Sequence, residues 1–451
     1  MKSSSRAKSV PVNRLPGGVW LGMALLALAF FYLWILPLFL PRGDFLWGYY
    51  RLKDLLLGIP IALATLFALA VLISPAKYRR PLSIRLSIVF TSVVLMLFLC
   101  DLIYAFLVIG ALRPNFWLDQ KHIPRKYSTT DSELGFVRKP GVQWFGHIQD
   151  AGRTVVYQTD ENGFRNPGGM TRADIVFLGD SFTEAAQVSS ENTFAQLVSK
   201  TSGLVGVNLG RGAYGPQQEQ IVLQRYGLGY QPRFVVWQLF EGNDLLDAEL
   251  FASWKRNPEQ NISFLERYFN NSFLAGLFAR TRLRDRGIPQ VSLRYHDGTA
   301  QRIRIRYRYL PGEPDEIPVG LWETRRVITE GQRLCDERGI KLIILFVPTM
   351  VRVQEPYLTF DRFEDQVYYL PSERDTKKNL STRISEICSE VGCTFVDAFP
   401  GLQQAAAGDN RYLYIPNDEH LDIKGHEVIA RTLLPWLAAK NSASLRAGSN
   451  R

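Results

Sequence analysis

Three long stretches of the chain almost empty of charge restrict what it can fold into more than any other feature. "GGVWLGMALLALAFFYLWILPLFL" (17–40) and "LLLGIPIALATLFALAVLISPA" (55–76) contain no charged residue, and "LSIVFTSVVLMLFLCDLIYAFLVIGAL" (86–112) contains only Asp101. About 20 apolar residues suffice to cross the hydrocarbon of a bilayer. Core helices of soluble proteins keep a polar face over such lengths, and these stretches have none. The sequence therefore predicts three membrane helices. A cleaved signal peptide is a poor reading of the first: its apolar run is too long, no small-x-small site follows, and two further spans come after it.

Charge gives the orientation. Residues 1–113 hold 12 Lys and Arg against 3 Asp and Glu, so nearly all of the net charge of +10 lies beside the predicted spans. Lys2, Arg6, Lys8 and Arg14 precede the first span, and Lys77, Arg79, Arg80 and Arg85 separate the second from the third. Both stretches are then cytoplasmic, because positive loops stay inside. Arg42, Arg51 and Lys53 between spans one and two are partly offset by Asp44 and Asp54. The expected location is the inner (cytoplasmic) membrane, multi-pass, with everything after residue 113 on the extracytoplasmic side and the lipid bilayer as a partner. The remainder of the chain is close to neutral, so the pI of 9.4 is no argument for nucleic acid, and none is expected as a partner. Cys100 falls in the third span. Cys335, Cys388 and Cys393 leave two readings open, one disulfide with a free thiol or three buried apolar thiols. No Cys/His spacing points to zinc, and no cofactor or metal is expected.

From about residue 171 the pattern changes to α/β. "DIVFLGD" (174–180), "VGVNLGR" (205–211), "FVVWQLFEG" (234–242), "KLIILFVPT" (341–349) and "CTFVDAF" (393–399) read as strands buried on both faces, with amphipathic helical runs between them. That alternation implies a parallel sheet covered by helices on both sides. The expected organisation is a membrane anchor over 1–113, a polar lead-in over 114–170, and an α/β domain over 171–440. The domain carries an insertion at about 250–317, and a disordered tail spans 441–451. Within the insertion, "RIRIRYRYL" (302–310) alternates strictly and predicts a hairpin or edge strand. Its basic face fits either solvent or an anionic polymer or headgroup.

In a parallel sheet of this kind, ligands bind beyond the carboxyl ends of the strands. Four pieces are expected at that edge: Gly179-Asp180-Ser181 after the first strand, the Gly-rich turn "NLGRGAYGPQQ" after the second, Asn243 in "FEGNDLLD" after the third, and Asp418 and His420 in "IPNDEHLDIKGHEVIA" after the last. Ser181 is open to two readings. A serine in this position can cap a helix, or it can be a nucleophile if a base reaches it.

These four blocks, in this order, resemble the SGNH (GDSL-like) hydrolase family over roughly residues 171–436. The "TDENGFRNP", "NLGRGAYGPQQE" and "FEGNDL" runs look most like a bacterial membrane-anchored branch of it. The resemblance implies a three-layer domain with a central parallel sheet, a catalytic triad of Ser181, His420 and Asp418, and an oxyanion hole. The oxyanion donors would be the N–H of Ser181, a main-chain N–H at Ala213 or Gly212, and the side chain of Asn243. Such a site suits a serine hydrolase: an imidazole takes and returns the serine proton near neutral pH, and an acid fixes its tautomer.

The chain departs from the family pattern in three places. Ala213 stands where the named glycine is usual; the donor is a main-chain N–H, so alanine can still serve if its φ is negative. Phe240 replaces a glycine of the third block. The acid stands two residues before the histidine instead of three, with Asn417 in the usual place. A metal site made of Asp418, His420, Asp422 and His426 is a competing reading, which leaves Ser181 and Asn243 without a role; otherwise His426 is structural. The expected activity is a serine esterase removing acyl groups from a polysaccharide, cell-wall component or lipid. The alternatives are an O-acyltransferase using the same triad on a surface polysaccharide, and a catalytically silent binding module.

Overall fold

The computed structural model describes residues 27–36, 52–105, 127–148, 152–256, 268, 272, 290–309, 313–370 and 379–438. The chain divides into two units, residues 1–108 with 272–281, and 109–271 with 282–451.

In the first unit, α1 (Leu52–Ile73) and α2 (Ala76–Ile103) are joined at Ser74 and Pro75. Among the described residues, Lys77–Ile103 within α2 is the one helix long and apolar enough to cross a membrane; α1 contributes the shorter apolar run Ile61–Val71. The first predicted span lies mostly outside the described residues, with 27–36 helical. Three spans were expected, and one of full length stands in the described part. Leu95, Met96, Leu97, Phe98 and Leu99 of α2 are all exposed. A run of consecutive apolar side chains without protein cover is the surface a helix presents to hydrocarbon. Asp101 is buried and accepts a hydrogen bond from Ser272 Oγ at 2.6 Å. Ser272 belongs to the predicted insertion and falls in the first unit.

The second unit begins with the lead-in, whose described part forms two antiparallel hairpins: β1 (Ser128–Asp131) with β2 (Gly135–Arg138), and β3 (Gln143–Ile148) with β4 (Arg153–Gln158). The central sheet contains β5 (Ile175–Leu178), β6 (Gly206–Asn208) and β7 (Phe234–Phe240). After β8 (Gln290–Arg294) and β9 (Ala300–Arg304), the sheet resumes with β10 (Lys341–Val347). It is completed, after β11 (Leu358–Phe360), by β12 (Thr394–Asp397). The order across the central sheet is β12-β10-β7-β5-β6, all parallel. Each of these strands lies inside one of the apolar runs, because a strand covered on both faces needs an unbroken apolar sequence. The predicted hairpin is β8–β9, and β9 is the edge of a separate antiparallel sheet ordered β11-β8-β9.

Helices cover both faces. Ile175, Phe177, Val236, Ile343 and Leu345 pack with Phe194 and Val198 of α4 (Phe194–Ser202) and Ile429 and Leu433 of α10 (Ile423–Ala438); α3 (Ser181–Glu184) precedes them in the chain. Val176, Leu178, Val235, Trp237 and Ile344 point the other way. There they meet α5 (Pro216–Arg225), α6 (Asp244–Arg256), α7 (Pro318–Asp336) and α8 (Leu380–Val391); α9 (Phe399–Gly408) joins the first face. Alternate residues of one strand thus supply two cores.

Chain direction reverses at the β5/β7 boundary. From β5 the chain moves outward to β6, then crosses back to β7 on the other side of β5. This is the switch point at which loops leave the carboxyl ends of neighbouring strands in opposite directions. Ser181 follows β5 and Asn243 follows β7, so both stand at that edge.

Candidate active site

β5 ends at Leu178 and the chain turns sharply through Gly179. Its φ is +149°, and a Cβ there would lie 2.4 Å from both Gln238 Oε1 and Thr183 Oγ1. Only glycine fits. Asp180 then caps α3, its Oδ1 accepting the Phe182 N–H at 2.9 Å. The capping position that the sequence left open for Ser181 is therefore filled by its neighbour. Ser181 is the first residue of the helix.

His420 arrives on a tight loop ahead of α10. Ile415 O accepts the N–H groups of Asp418 and Glu419, and the Ile415 N–H donates to His420 O. Asn417 and Glu419 are left-handed, at φ +62° and +69°. Non-glycine residues rarely adopt that conformation. With Glu419 turned in this way, Asp418 and His420 face each other across a two-residue spacing. His420 Nδ1 lies 2.5 Å from Asp418 Oδ1, and His420 Nε2 lies 2.7 Å from Ser181 Oγ. With the proton on Nδ1 donated to Asp418, the Nε2 lone pair receives the Ser181 hydroxyl.

The electrostatics fit this arrangement. Burial pulls the His420 pKa down, but the hydrogen bond and charge of Asp418 outweigh it and hold the pKa above the ordinary histidine value. Burial pushes the Asp418 carboxyl up, while the hydrogen bond and charge of His420, together with the Arg306 charge, bring it below the ordinary carboxylate value. Asn417 is directed elsewhere: its Oδ1 accepts the Arg304 N–H at 2.9 Å. The carboxylates and histidines of the competing metal reading do not converge. Asp422 accepts from Arg153 and from the Ile423 N–H, and buried His426 accepts the Phe194 N–H at 3.3 Å. Burial lowers the His426 pKa to about 3, so it is a neutral acceptor. No cluster of three or more His, Cys, Asp or Glu able to hold a metal occurs among the described residues. Cys335, Cys388 and Cys393 are free thiols.

The oxyanion side differs from expectation in two respects. The Gly212 N–H donates to Glu184 Oε2 at 2.6 Å, so it is already engaged and is withdrawn as a donor. Ala213 has φ +67°, so the negative φ on which its donor role was made conditional is not met. Its N–H, like that of Ser181, makes no hydrogen bond among the described residues. The turn itself lies against the serine, since a Cβ at Gly212 would stand 3.4 Å from Ser181 Cβ. Asn243 Nδ2 spends one hydrogen on Asp247 Oδ2 at 2.7 Å and keeps the second, while its Oδ1 is buried without a partner.

Sequence reasoning missed Glu184. Its carboxylate is buried in the second unit, where it accepts from Arg138 Nε at 2.9 Å, Arg211 Nη1 at 2.7 Å and the Tyr157 hydroxyl. Burial would raise its pKa, but the charges of Arg138 and Arg211 hold it well below the ordinary glutamate value. Arg165 of "NGFRNP" donates to the carbonyls of Ala185 and, at 2.6 Å, Val188. The lead-in thus grips the end of α3 and, through Glu184, the turn beside it.

No protein-family model matches the chain, and no curated protein does. Solved structures do. One is a protein described as lipolytic and of the G-D-S-L family from Desulfitobacterium hafniense DCB-2, 14% identical, covering 58% of this chain and 97% of its own, at a TM-score of 0.32. Another is a catalytic mutant of Axe2, an acetylxylan esterase from Geobacillus stearothermophilus, 12% identical, covering 58% and 93%, at 0.31. A third is LAE5, an alpha/beta hydrolase enzyme from the metagenome of Lake Arreo, Spain, 14% identical, covering 59% and 97%, at 0.32. Likenesses this distant assign no chemistry to the chain.

Glu184→Gln leaves Arg138 and Arg211 without their counter-charge. Breaking a buried pair in this way costs about 3–5 kcal/mol. A depressed carboxylate pKa contributes stability above the ordinary glutamate value, and that contribution is lost as pH falls below it. Chemical denaturation from pH 7 to 3 is expected to show a marked loss for the variant at pH 7 and a shallower decline on acidification than in the wild type. Equal stability of the two at pH 7 would contradict this role.

Proposed function

We propose that the chain is a membrane-anchored SGNH-type serine esterase, acting outside the cytoplasm on an acyl ester of a polysaccharide, cell-wall component or lipid. The single observation that carries the reading is the unbroken relay Ser181 Oγ, His420 Nε2, His420 Nδ1, Asp418 Oδ1, at 2.7 and 2.5 Å. A hydroxyl is a weak nucleophile until a base takes its proton, and this contact provides the base.

Ser181 Oγ attacks the acyl carbon as its proton passes to His420 Nε2. The imidazolium is stabilised by Asp418, whose charge already favours that form. The oxyanion faces the N–H groups of Ser181 and Ala213 and the second hydrogen of Asn243 Nδ2. Collapse of the tetrahedral adduct releases the alcohol, which takes the proton back from His420. A water then attacks the acyl-enzyme, its proton going to the same nitrogen, and the second adduct collapses as His420 returns that proton to Ser181 Oγ and the acid is released. A left-handed Ala213 still presents a main-chain N–H, and that N–H is the only chemistry the position has to supply.

The three predicted spans, the surplus of Lys and Arg around them and the uncovered apolar run of α2 support the anchor and its orientation. A reporter fused after residue 115 is expected to be active only in a form that works after export, and one fused near residue 80 only in a cytoplasmic form. The reverse pattern would overturn the localisation.

The catalytic reading is tested on the full chain in neutral detergent with p-nitrophenyl acetate. Ser181→Ala and His420→Ala are expected to abolish turnover, Asp418→Asn to lower kcat by a factor on the order of 10⁴, and Asn417→Ala to cost far less. His420 must be neutral to act as a base, and its folded pKa is raised above 6.5. The acid limb of the kcat/KM profile is therefore expected above that pH, moving lower in Asp418→Asn. Wild-type turnover unaffected by Ser181→Ala would refute the assignment.

A further inference from the structure

One polar residue beside the site has no part in the chemistry above. Asp247 stands one helical turn after Asn243, in α6, its N–H donating to Asn243 O at 2.8 Å and its Oδ2 accepting from Asn243 Nδ2 at 2.7 Å. It is buried. The Gly-rich turn lies directly against it: a Cβ at Gly215 would stand 3.1 Å from Asp247 Cβ, and Gln217 Nε2 donates to the carbonyl of the next residue, Ala248, at 2.8 Å. Asp247 therefore sits where the turn that carries Gly212 and Ala213 meets the helix that follows Asn243.

A carboxylate is a costly choice for this place. Burial raises the carboxyl pKa of Asp180 to about 6 and those of Glu219 and Asp244 well above the ordinary range, and the Asp247 charge adds to each rise. A favourable interaction with the helix dipole is no explanation, since an acid elsewhere in the first turn of α6 would share it. The contact with Asn243 gives a more specific one. An amide side chain has a donor end and an acceptor end, and its terminal torsion is soft, so its partners decide which end faces the reacting atoms. Asp247 Oδ2 accepts Nδ2 and would repel Oδ1. In the observed orientation Asn243 Oδ1 is buried without a hydrogen-bond partner, a cost the amide bears while its nitrogen stays on Asp247.

We propose that Asp247 is a positioning residue for the oxyanion site: it holds the Asn243 amide so that the second Nδ2 hydrogen, and not Oδ1, faces the oxygen on which charge develops. This rests on the esterase reading above and adds a residue to its machinery. An oxyanion donor is effective when it is aimed before the charge forms, because reorienting it during the reaction gives back part of the stabilisation. Without Asp247 the amide populates both orientations, and the flipped one turns a partly negative carbonyl oxygen toward the oxyanion.

The test is a double-mutant cycle on the full chain in neutral detergent with p-nitrophenyl acetate. Asn243→Ala is expected to lower kcat by about 10²–10³, the usual cost of an oxyanion donor. Asp247→Leu, which keeps the volume and loses the acceptor, is expected to lower kcat by about 10- to 100-fold with KM within about twofold. Asp247→Asn keeps an acceptor oxygen in the same place and is expected to return kcat to within about threefold of wild type. In the Asn243→Ala chain, where no amide remains to be aimed, Asp247→Leu is expected to cost less than about twofold. Equal proportional losses in both backgrounds, an unchanged kcat in Asp247→Leu, or Asp247→Asn as impaired as Asp247→Leu would overturn the proposal. So would an Asn243→Ala chain of full activity, while Ser181→Ala still reports on the esterase reading. Thermal unfolding checks each variant; if Asp247→Leu does not fold, Asp247→Ala replaces it, and if neither folds the carboxylate is a stability element and the proposal fails. Should the wild type turn over no ester, the same cycle is read on the rate of fluorophosphonate labelling, whose phosphoryl oxygen gains charge at the same donors. No labelling of the folded wild type refutes the esterase reading together with this one, whereas labelling with a cycle of the wrong form refutes this one alone.

Discussion

One buried carboxylate joins the parts on which the candidate site depends. Glu184 ends the helix that Ser181 begins, and its two oxygens reach the lead-in through Arg138 and Tyr157 and the neighbouring turn through Arg211 and the Gly212 N–H. A charge with so little access to water is tolerable only when it is fully paired, so the three segments cannot move independently without exposing a large penalty. The short helix, of only four residues, would hold no position alone. Fixed in this way, it sets Ser181 against the turn at Gly212, whose N–H is bonded to Glu184.

The second constraint is topological. A parallel sheet with its reversal at β5/β7 opens a crevice at one edge, and everything placed there arrives on a loop. Ser181 and His420 are 239 positions apart in the chain, yet their side chains meet at 2.7 Å because both loops leave the same edge. The loop carrying His420 is shaped by two left-handed residues, Asn417 and Glu419, whose side chains are used in turn to bind the strand 304–307. Burial pushes Glu419 up to about 7 against the pull of those two N–H groups. Backbone strain, the position of His420 and the placement of the strand 304–307 are thus features of a single six-residue loop.

Much of this was legible in the sequence for a simple physical reason. Strands covered on both faces must be apolar throughout, so β5, β7 and β10 announce themselves, and the polar residues that follow them mark the functional edge. The side chain paired with His420 was legible as a choice between Asp418 and Asn417, and the direction of the Asn417 side chain toward Arg304 separates the two. What could not be read were pairings between distant positions. Glu184 looks like an ordinary helix residue until Arg138 and Arg211 are brought to it. Gly212 looks like a free donor until Glu184 occupies its N–H. The left-handed φ of Ala213 has no signature at all, since alanine gives no sign of positive φ. For the apolar segments, length and composition predict three spans, while the described residues hold one helix that meets both criteria.

The central claim, that His420 activates Ser181 toward attack, is tested most directly by covalent trapping. The folded full chain is treated with a fluorophosphonate and digested, and the modified peptide is located by mass spectrometry. A single adduct on Ser181, absent from the His420→Ala chain of equal thermal stability, is the predicted result. An adduct on another residue, or an unmodified Ser181 in a chain shown to be folded, would contradict it.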